Sequence, residues 1–479
     1  MRPSSGFLFT TAKRCWRTTA AAAVLLLLGT PAWAQSEETN EPAAAVRLLT
    51  TVPIKGTAAS PNTKMFSFDI SFVDPATGLY YLADRSNAAL DVIDTTGKFT
   101  GTADTLFGQI GGSAFNFAGD TGSTSTSGPN GVVAASPCIF VTDTGVSGGR
   151  VVSINSNVSF VQKVSDVSTG GTTRADELAY DPADGLLLVI NNAEKPPYGT
   201  LITVNKLTCA LTLGTKITFN TANGVNATNG AEQPAWDPNT KKFYLSIPEI
   251  GGPGDGTGTA GGVIRISTTG VIEKTYPINF CQPAGLTVGP NGDLLVGCNS
   301  VFDTLGNKCT AVVPSPSATG TPAGAPATCT GIAYPQEVIC NPTVGRDCTG
   351  NALVSVQGVG GGDEVWFNKG DGNYYVTAGN DPVGPVFGVI ASVLGTSTNI
   401  LTQLVPTLPP VPAVTTGTSK HGAGTVHSIT ACSTTSAVPC TTNKVYVALP
   451  ANTAYSLPGV SQGGSVNCAQ GCVAVFGVP

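Results

Sequence analysis

Polar side chains recur at one kind of place in this 479-residue sequence, the start of a short apolar run. Asp69, Asn130, Glu177, Gln233 with Glu232 beside it, Gln282, Glu364 and His427 all stand there. A second set closes the runs that follow: Asp84, Asp143, Asn191, Asn192, Glu249, Asn299 and Asn380. Clustered carboxylates repel one another and hold their protons unless a hard cation neutralises them, and calcium accepts such oxygen ligands. If a cofactor is present, Ca or another divalent cation is expected, with Asp69, Glu177, Glu232 and Glu364 as metal ligands. The alternative is a set of polar groups that bond only neighbouring backbone and channel water. The chain has 2 histidines, His421 and His427, both in the segment HGAGTVH. Imidazole titrates near neutral pH, so His427 among carboxylates is a candidate general base or acid, with Glu177 as its catalytic partner. Asp69, Asn130, Gln233, Gln282, Glu364, Asp84 and Asn192 complete the expected ligand-binding rim. P-loop, HExxH and CxxCH motifs are absent. The glycine-rich stretch Gly251–Gly262 reads as a flexible loop between two strands.

The elements that must position these residues are legible in Phe68–Asp94, FDISFVDPATGLYYLADRSNAALDVID. It reads as strands over Asp69–Val73, Leu79–Ala83 and Ala89–Ile93. An Asp-Pro-Ala-Thr-Gly turn joins the first two, proline presetting the backbone and glycine taking the positive-φ position. The unit returns as LAYDPADGLLLVINN, QPAWDPNTKKFYLSIP, EVWFNKGDGNYYVTAGN and further degraded copies. Such periodicity predicts an all-β, seven-bladed β-propeller, six or eight blades being the alternatives. The last unit lacks an outer strand, and Val46–Ile54 belongs to no other unit. The N-terminal strand is therefore expected to pair onto the last blade and close the ring. Because adjacent strands run antiparallel, the polar starts gather at one end of the channel. Asp74, Asp181 and Asp237 fall at the other, as turn formers.

The ends and the composition bound the setting. Lys13, Arg14 and Arg17, the apolar run Ala20–Leu28 and Pro31-Ala32-Trp33-Ala34 form a secretory signal over residues 1–34. Residues 35–44 follow as a flexible linker and 45–479 as the propeller, with a Cys/Pro-rich insertion at 299–351 and a Pro-rich connector at 404–419. Twelve of the 13 cysteines follow the signal, which suggests disulfides in an oxidising compartment, Cys432/Cys440 and Cys468/Cys472 being plausible local pairs. The chain is 11% charged with net charge −6, against a nucleic-acid partner. No membrane span is expected after signal removal, and the protein is expected to be secreted or periplasmic.

The units YYLADRSNAALDVID, FYLSIP…GGVIRI and NYYVTAGN…VFGVI resemble bacterial YVTN/NHL-type propeller repeats. More remotely, the chain resembles the gluconolactonase-like (SMP-30) and six-phosphogluconolactonase-like propeller hydrolases. That resemblance implies a cation at the channel mouth, with Asp69 at the position matching the Glu those enzymes use. Two functions follow as expectations. One is the binding of a small molecule or protein at the polar rim. The other is a divalent-metal-dependent lactone or ester hydrolase at the same rim, in which His427 activates water.

Overall fold

The structure is a computed structural model. It describes residues 46–58, 63–156, 161–303, 305–308, 336–343, 354–379, 381, 385–391, 400–407, 425–430, 443–455 and 466–477. The expected signal and linker, most of the insertion, the connector beyond residue 407, Asn380, His421 and the Cys432/Cys440 pair lie outside these residues.

The described chain is built from four-stranded antiparallel sheets. Blade one runs Ser71–Asp74, Leu79–Asp84, Ala89–Asp94 and Thr105–Gly111, in spatial as in chain order. Blades two, three and four repeat that meander from inner strands Val132–Ala135, Leu178–Asp181 and Pro234–Asp237. Blade five begins with Cys281–Val288 and is joined to blade four by one parallel bridge, Ala260 to Cys281. Blade six begins with Glu364–Asn368, and blade seven with Val426–Thr430. The outer strand of blade seven is Arg47–Pro53, antiparallel to Cys472–Gly477, so the two ends of the propeller close it as expected.

Ring closure is visible in the packing. Inner strands touch in the order one to seven and back to one. Every hydrophobic cluster spans two neighbouring blades. In the closing interface, Val52, Ile54, Tyr446 and Val475 pack on Val73, Tyr80 and Leu82. Second strands are covered on both faces by adjacent blades, and Leu79–Asp84 is buried at every position. An outer strand has one wet face, and Gln162–Ser168 alternates accordingly.

Two boundaries differ from the sequence reading. Gln336–Cys340, inside the expected insertion, is the third strand of blade five, and Val354–Gln357 is its fourth. The first residues of the expected connector belong to Ile400–Pro406, the outer strand of blade six. A five-residue strand amid Pro/Ala/Thr-rich sequence carries too short an alternation to read. The Asp-Pro turns behave as expected: Asp74 Oδ1 accepts from the Ala76 N–H at 3.0 Å, and Asp237 Oδ1 from the Asn239 N–H at 2.9 Å. Gly78, at φ +73°, closes the first of them.

Candidate functional site at the channel mouth

One backbone hydrogen bond defines the mouth. Asp69, Asn130, Asp176, Glu232 and Asp363 each donate their N–H to a second-strand carbonyl, of Ala83, Thr142, Ile190, Ser246 and Thr377, at 2.8–3.0 Å. They are equivalent positions in blades one, two, three, four and six. Glu177, Gln233 and Glu364 stand one residue deeper, where side chains alternate to the other face. The expected rim therefore mixes two registers, and Asp176 and Asp363 were missing from it.

Two arginines are threaded through the carboxylates. Arg85, just after the second strand of blade one, pairs with Asp69 and donates Nε to Asn130 Oδ1 at 2.9 Å. Arg174, just before the inner strand of blade three, reaches Asp176 at 2.6 Å and Asp69 at 3.8 Å. It also donates Nε to Asn192 Oδ1 at 3.2 Å, and Asn192 Nδ2 donates to Glu232 Oε2 at 3.4 Å. Asn130 continues the network to blade three through Nδ2 and the Ala175 carbonyl at 2.9 Å. The one available signal for these arginines is proximity: in a weakly charged chain each lies within three residues of a candidate rim position.

Two guanidinium groups do not balance the acids around them. Burial pushes the Glu177 carboxyl well above its ordinary range, and Glu364, Asp176, Glu232 and Asp69 push it further. Burial does the same to Glu364, with Asp363, Asp69, Asp176 and Glu232 adding to it. Asp176 is raised to about 8: burial outweighs Arg174, and Asp69 and Glu232 reinforce it. Glu232 is raised by burial against the pull of Arg174. Burial opposes the charge of Arg174, but Asp176, Asp69, Glu232 and Glu177 together overcome that and hold it ionised. These mutual influences bring the acids of blades one, three, four and six to one locus.

One buried oxygen there meets no protein donor, and two neighbouring carboxyls accept no hydrogen bond. Asp176 is 3% exposed, and its Oδ1 is buried without a hydrogen-bond partner. The carboxyls of Glu177 and Glu364, each 6% exposed, accept no hydrogen bond among the described residues. Buried acceptors left open in this way are costly unless a ligand or water meets them.

Several expected members are elsewhere. His427 is a correction. It lies below the mouth, its ring 3.6 Å from the Trp366 centroid and 4.6 Å from that of Phe72, and its Nδ1 accepts from the Val73 N–H at 3.1 Å. Burial drives its pKa down to about 3, so it stays a neutral wedge between blades and has no contact with Glu177. Asp84 turns into blade one, where it accepts from the Asn87 side chain at 2.5 Å; Arg85 takes the mouth instead. Gln233 ties blade four to blade five, its Oε1 accepting from the Leu286 N–H at 2.6 Å. Gln282 donates Nε2 to the Gly256 and Gly258 carbonyls at 3.0 and 2.7 Å. The glycine-rich loop is thus pinned, and Glu249 pins it again by accepting from the N–H groups of Gly254 and Gly256 at 2.6 and 3.2 Å.

The donor set does not suit a divalent metal. Among the described residues no group of three or more Asp, Glu, His or Cys side chains converges closely enough to hold one. Calcium needs six to eight oxygens, whereas Asp69 and one oxygen of Asp176 are already committed to arginine.

No protein-family model matches the sequence, and no curated protein does. Solved structures of propellers are similar in fold. The hydrazine synthase of Kuenenia stuttgartiensis has 10% identity and a TM-score of 0.48 over 78% of this chain and 92% of that one. The Pan2 WD40 domain of Neurospora crassa has 7% identity and a TM-score of 0.47 over 91% and 96%. A putative 6-phosphogluconolactonase from Bacteroides uniformis has 11% identity and a TM-score of 0.40 over 85% and 99%. At these values the likeness concerns architecture alone. The chain is an all-β propeller, and the inner strands among its described residues meet in a closed ring.

Proposed function

We propose that this protein is an exported β-propeller that binds a small organic cation at the acidic mouth of its channel. The observation that carries this reading is the buried, unpartnered Oδ1 of Asp176, among acids (Glu177 and Glu364 with it) that outnumber their two arginines. An ammonium group donates several hydrogen bonds and brings the missing positive charge; a neutral ligand can supply donors but not the charge. Disulfides such as Cys138–Cys209 and Cys281–Cys298 support export, since such bonds persist in oxidising compartments. The hydrolase reading loses its two supports, a metal-ligand set and a titrating histidine, so binding is favoured over turnover.

The test is calorimetric titration of the purified protein with cyclohexylamine at low and moderate salt. We expect one saturable site, weaker at higher salt. Binding should be at least tenfold weaker in Glu177→Gln and Glu364→Gln, unchanged in His427→Phe and indifferent to chelators. Equal affinity in the Gln variants would refute the assignment.

A further inference from the structure

One level below the acids, three neighbouring blades turn aromatic. Three residues on from the mouth position stand Phe72 in blade one and Trp366 in blade six. His427 holds the same level in blade seven, since each of the three is paired with a tyrosine of its second strand, Tyr81, Tyr375 or Tyr446. Blades one and six are not neighbours, yet the ring centroids of Phe72 and Trp366 lie 6.2 Å apart, edge to face. Rings from both can meet only where the inner strands converge on the channel. His427 is buried between them, whereas Phe72 and Trp366 are partly exposed and keep aromatic surface open to solvent.

In the blades across the channel the same level is small. The equivalent position is Val133 in blade two, Ala179 in blade three and Ala235 in blade four. The layer thus sets rings against short side chains, the arrangement that admits a further flat group beside the rings. The acids stand on the mouth side of this layer and on the same strand faces. Glu364 precedes Trp366 by two residues, and Glu177 precedes Ala179 by two, so each pair shares a face. Two residues of strand advance about 6.6 Å, which places the carboxylates one step from the rings. An aromatic ring gains from edge or offset contact with another ring beyond the burial of its area, and an aliphatic group of the same size does not.

We infer that this aromatic layer is a subsite for a flat ring carried by the cation, with the ammonium at Glu177 and Glu364 and the ring against Trp366 and Phe72. The ligand class is an arylalkylammonium. The step between carboxylates and rings calls for a short alkyl spacer, so a ring attached directly to the nitrogen stops short of the layer. This deepens the cation-binding reading and rests on it for the ammonium, whereas the ring contacts are independent of it.

Four ligands separate the contributions: 2-phenylethylamine (ammonium, spacer and aromatic ring), 2-cyclohexylethylamine (the same reach without an aromatic face), cyclohexylamine (ammonium without the spacer) and 2-phenylethanol (ring without charge). Titration of the wild-type protein should give 2-phenylethylamine at least tenfold tighter than cyclohexylamine or 2-phenylethanol, and at least threefold tighter than 2-cyclohexylethylamine. Trp366→Leu should bring 2-phenylethylamine down to the level of cyclohexylamine and leave cyclohexylamine unchanged. Phe72→Leu provides a second variant should the first not fold, as judged by its melting curve. Glu364→Gln should weaken every amine in parallel. If 2-phenylethylamine binds no tighter than cyclohexylamine or 2-cyclohexylethylamine, or keeps its preference in the Leu variants, the aromatic subsite is overturned and the mouth reading stands. If 2-phenylethanol binds as tightly as 2-phenylethylamine and is lost in Trp366→Leu, the ring contacts stand while the ammonium component and the mouth reading fall. Absence of binding by all four would overturn both.

Discussion

A guanidinium buried among carboxylates sets the chemistry of the mouth at the scale of single residues. Arg174 is shared by Asp176 and Asp69, and removing one member of such a buried pair typically costs about 3–5 kcal/mol, because the partner is left uncompensated. Burial shifts Asp176 and the acids around it upward in spite of that pairing, which has a consequence of definite sign. Asp176 goes from an ordinary value of 3.8 to about 8 on folding, so between those limits the native state binds a proton that the unfolded chain has released. Stability contributed by this proton is complete below about pH 4 and is lost as pH rises toward 8. Glu177 and Glu364 are shifted in the same direction, and so is Asp84, to about 6. Melting curves should therefore show the ligand-free protein losing thermal stability from pH 5 to pH 8. Asp176→Asn should flatten that slope. Cation binding should strengthen over the same interval and release protons to the buffer, measurable by titration in buffers of different ionisation enthalpy.

Blades are held to one another by packing, and two of them also by covalent chemistry between described residues. Cys138 starts the second strand of blade two, and Cys209 lies in the turn before the outer strand of blade three. Their disulfide encloses 71 residues of separation and joins neighbouring blades across a buried face. Closing so long a loop constrains the unfolded chain, and losing such a bond costs about 2–4 kcal/mol. A Cys138→Ala/Cys209→Ala double variant should show that loss in denaturant unfolding. It should still bind cyclohexylamine with wild-type affinity, since blades two and three remain packed through Phe140, Val189 and Ile202. Weakened binding with unchanged stability would contradict this division of labour.

Closure belongs to the whole molecule. Arg47–Pro53 supplies the last blade with its fourth strand, and Val52 and Ile54 are buried in the interface between the last blade and the first. Each fully buried aliphatic side chain is worth roughly 1.5–3 kcal/mol. Deleting residues 45–54 should remove at least about 3 kcal/mol, read as a lower denaturant midpoint, and should expose Cys472–Gly477 as an unpaired edge prone to association. A truncated protein as stable as the full chain would mean that the ring does not depend on its terminal clasp.

The amino-acid order by itself determined the repeat: Asp-Pro turns, period-2 alternation and an orphan N-terminal strand suffice to specify blades and the way they close, because those signals act between near neighbours. It also determined that acids gather at one end of the channel. Which acids, and with what partners, was decided only in three dimensions. In blades three and six the mouth position is held by Asp176 and Asp363, one residue before the polar residue that the sequence suggested, and a one-residue slip in a strand exchanges its faces. Arg85, Arg174 and Asp176 meet from separate blades, and no local pattern records such an encounter. His427 shows the converse. In the chain it stands among polar loop residues, but folding closes Trp366 and Phe72 over it, and desolvation removes the charge that would have made it chemically useful.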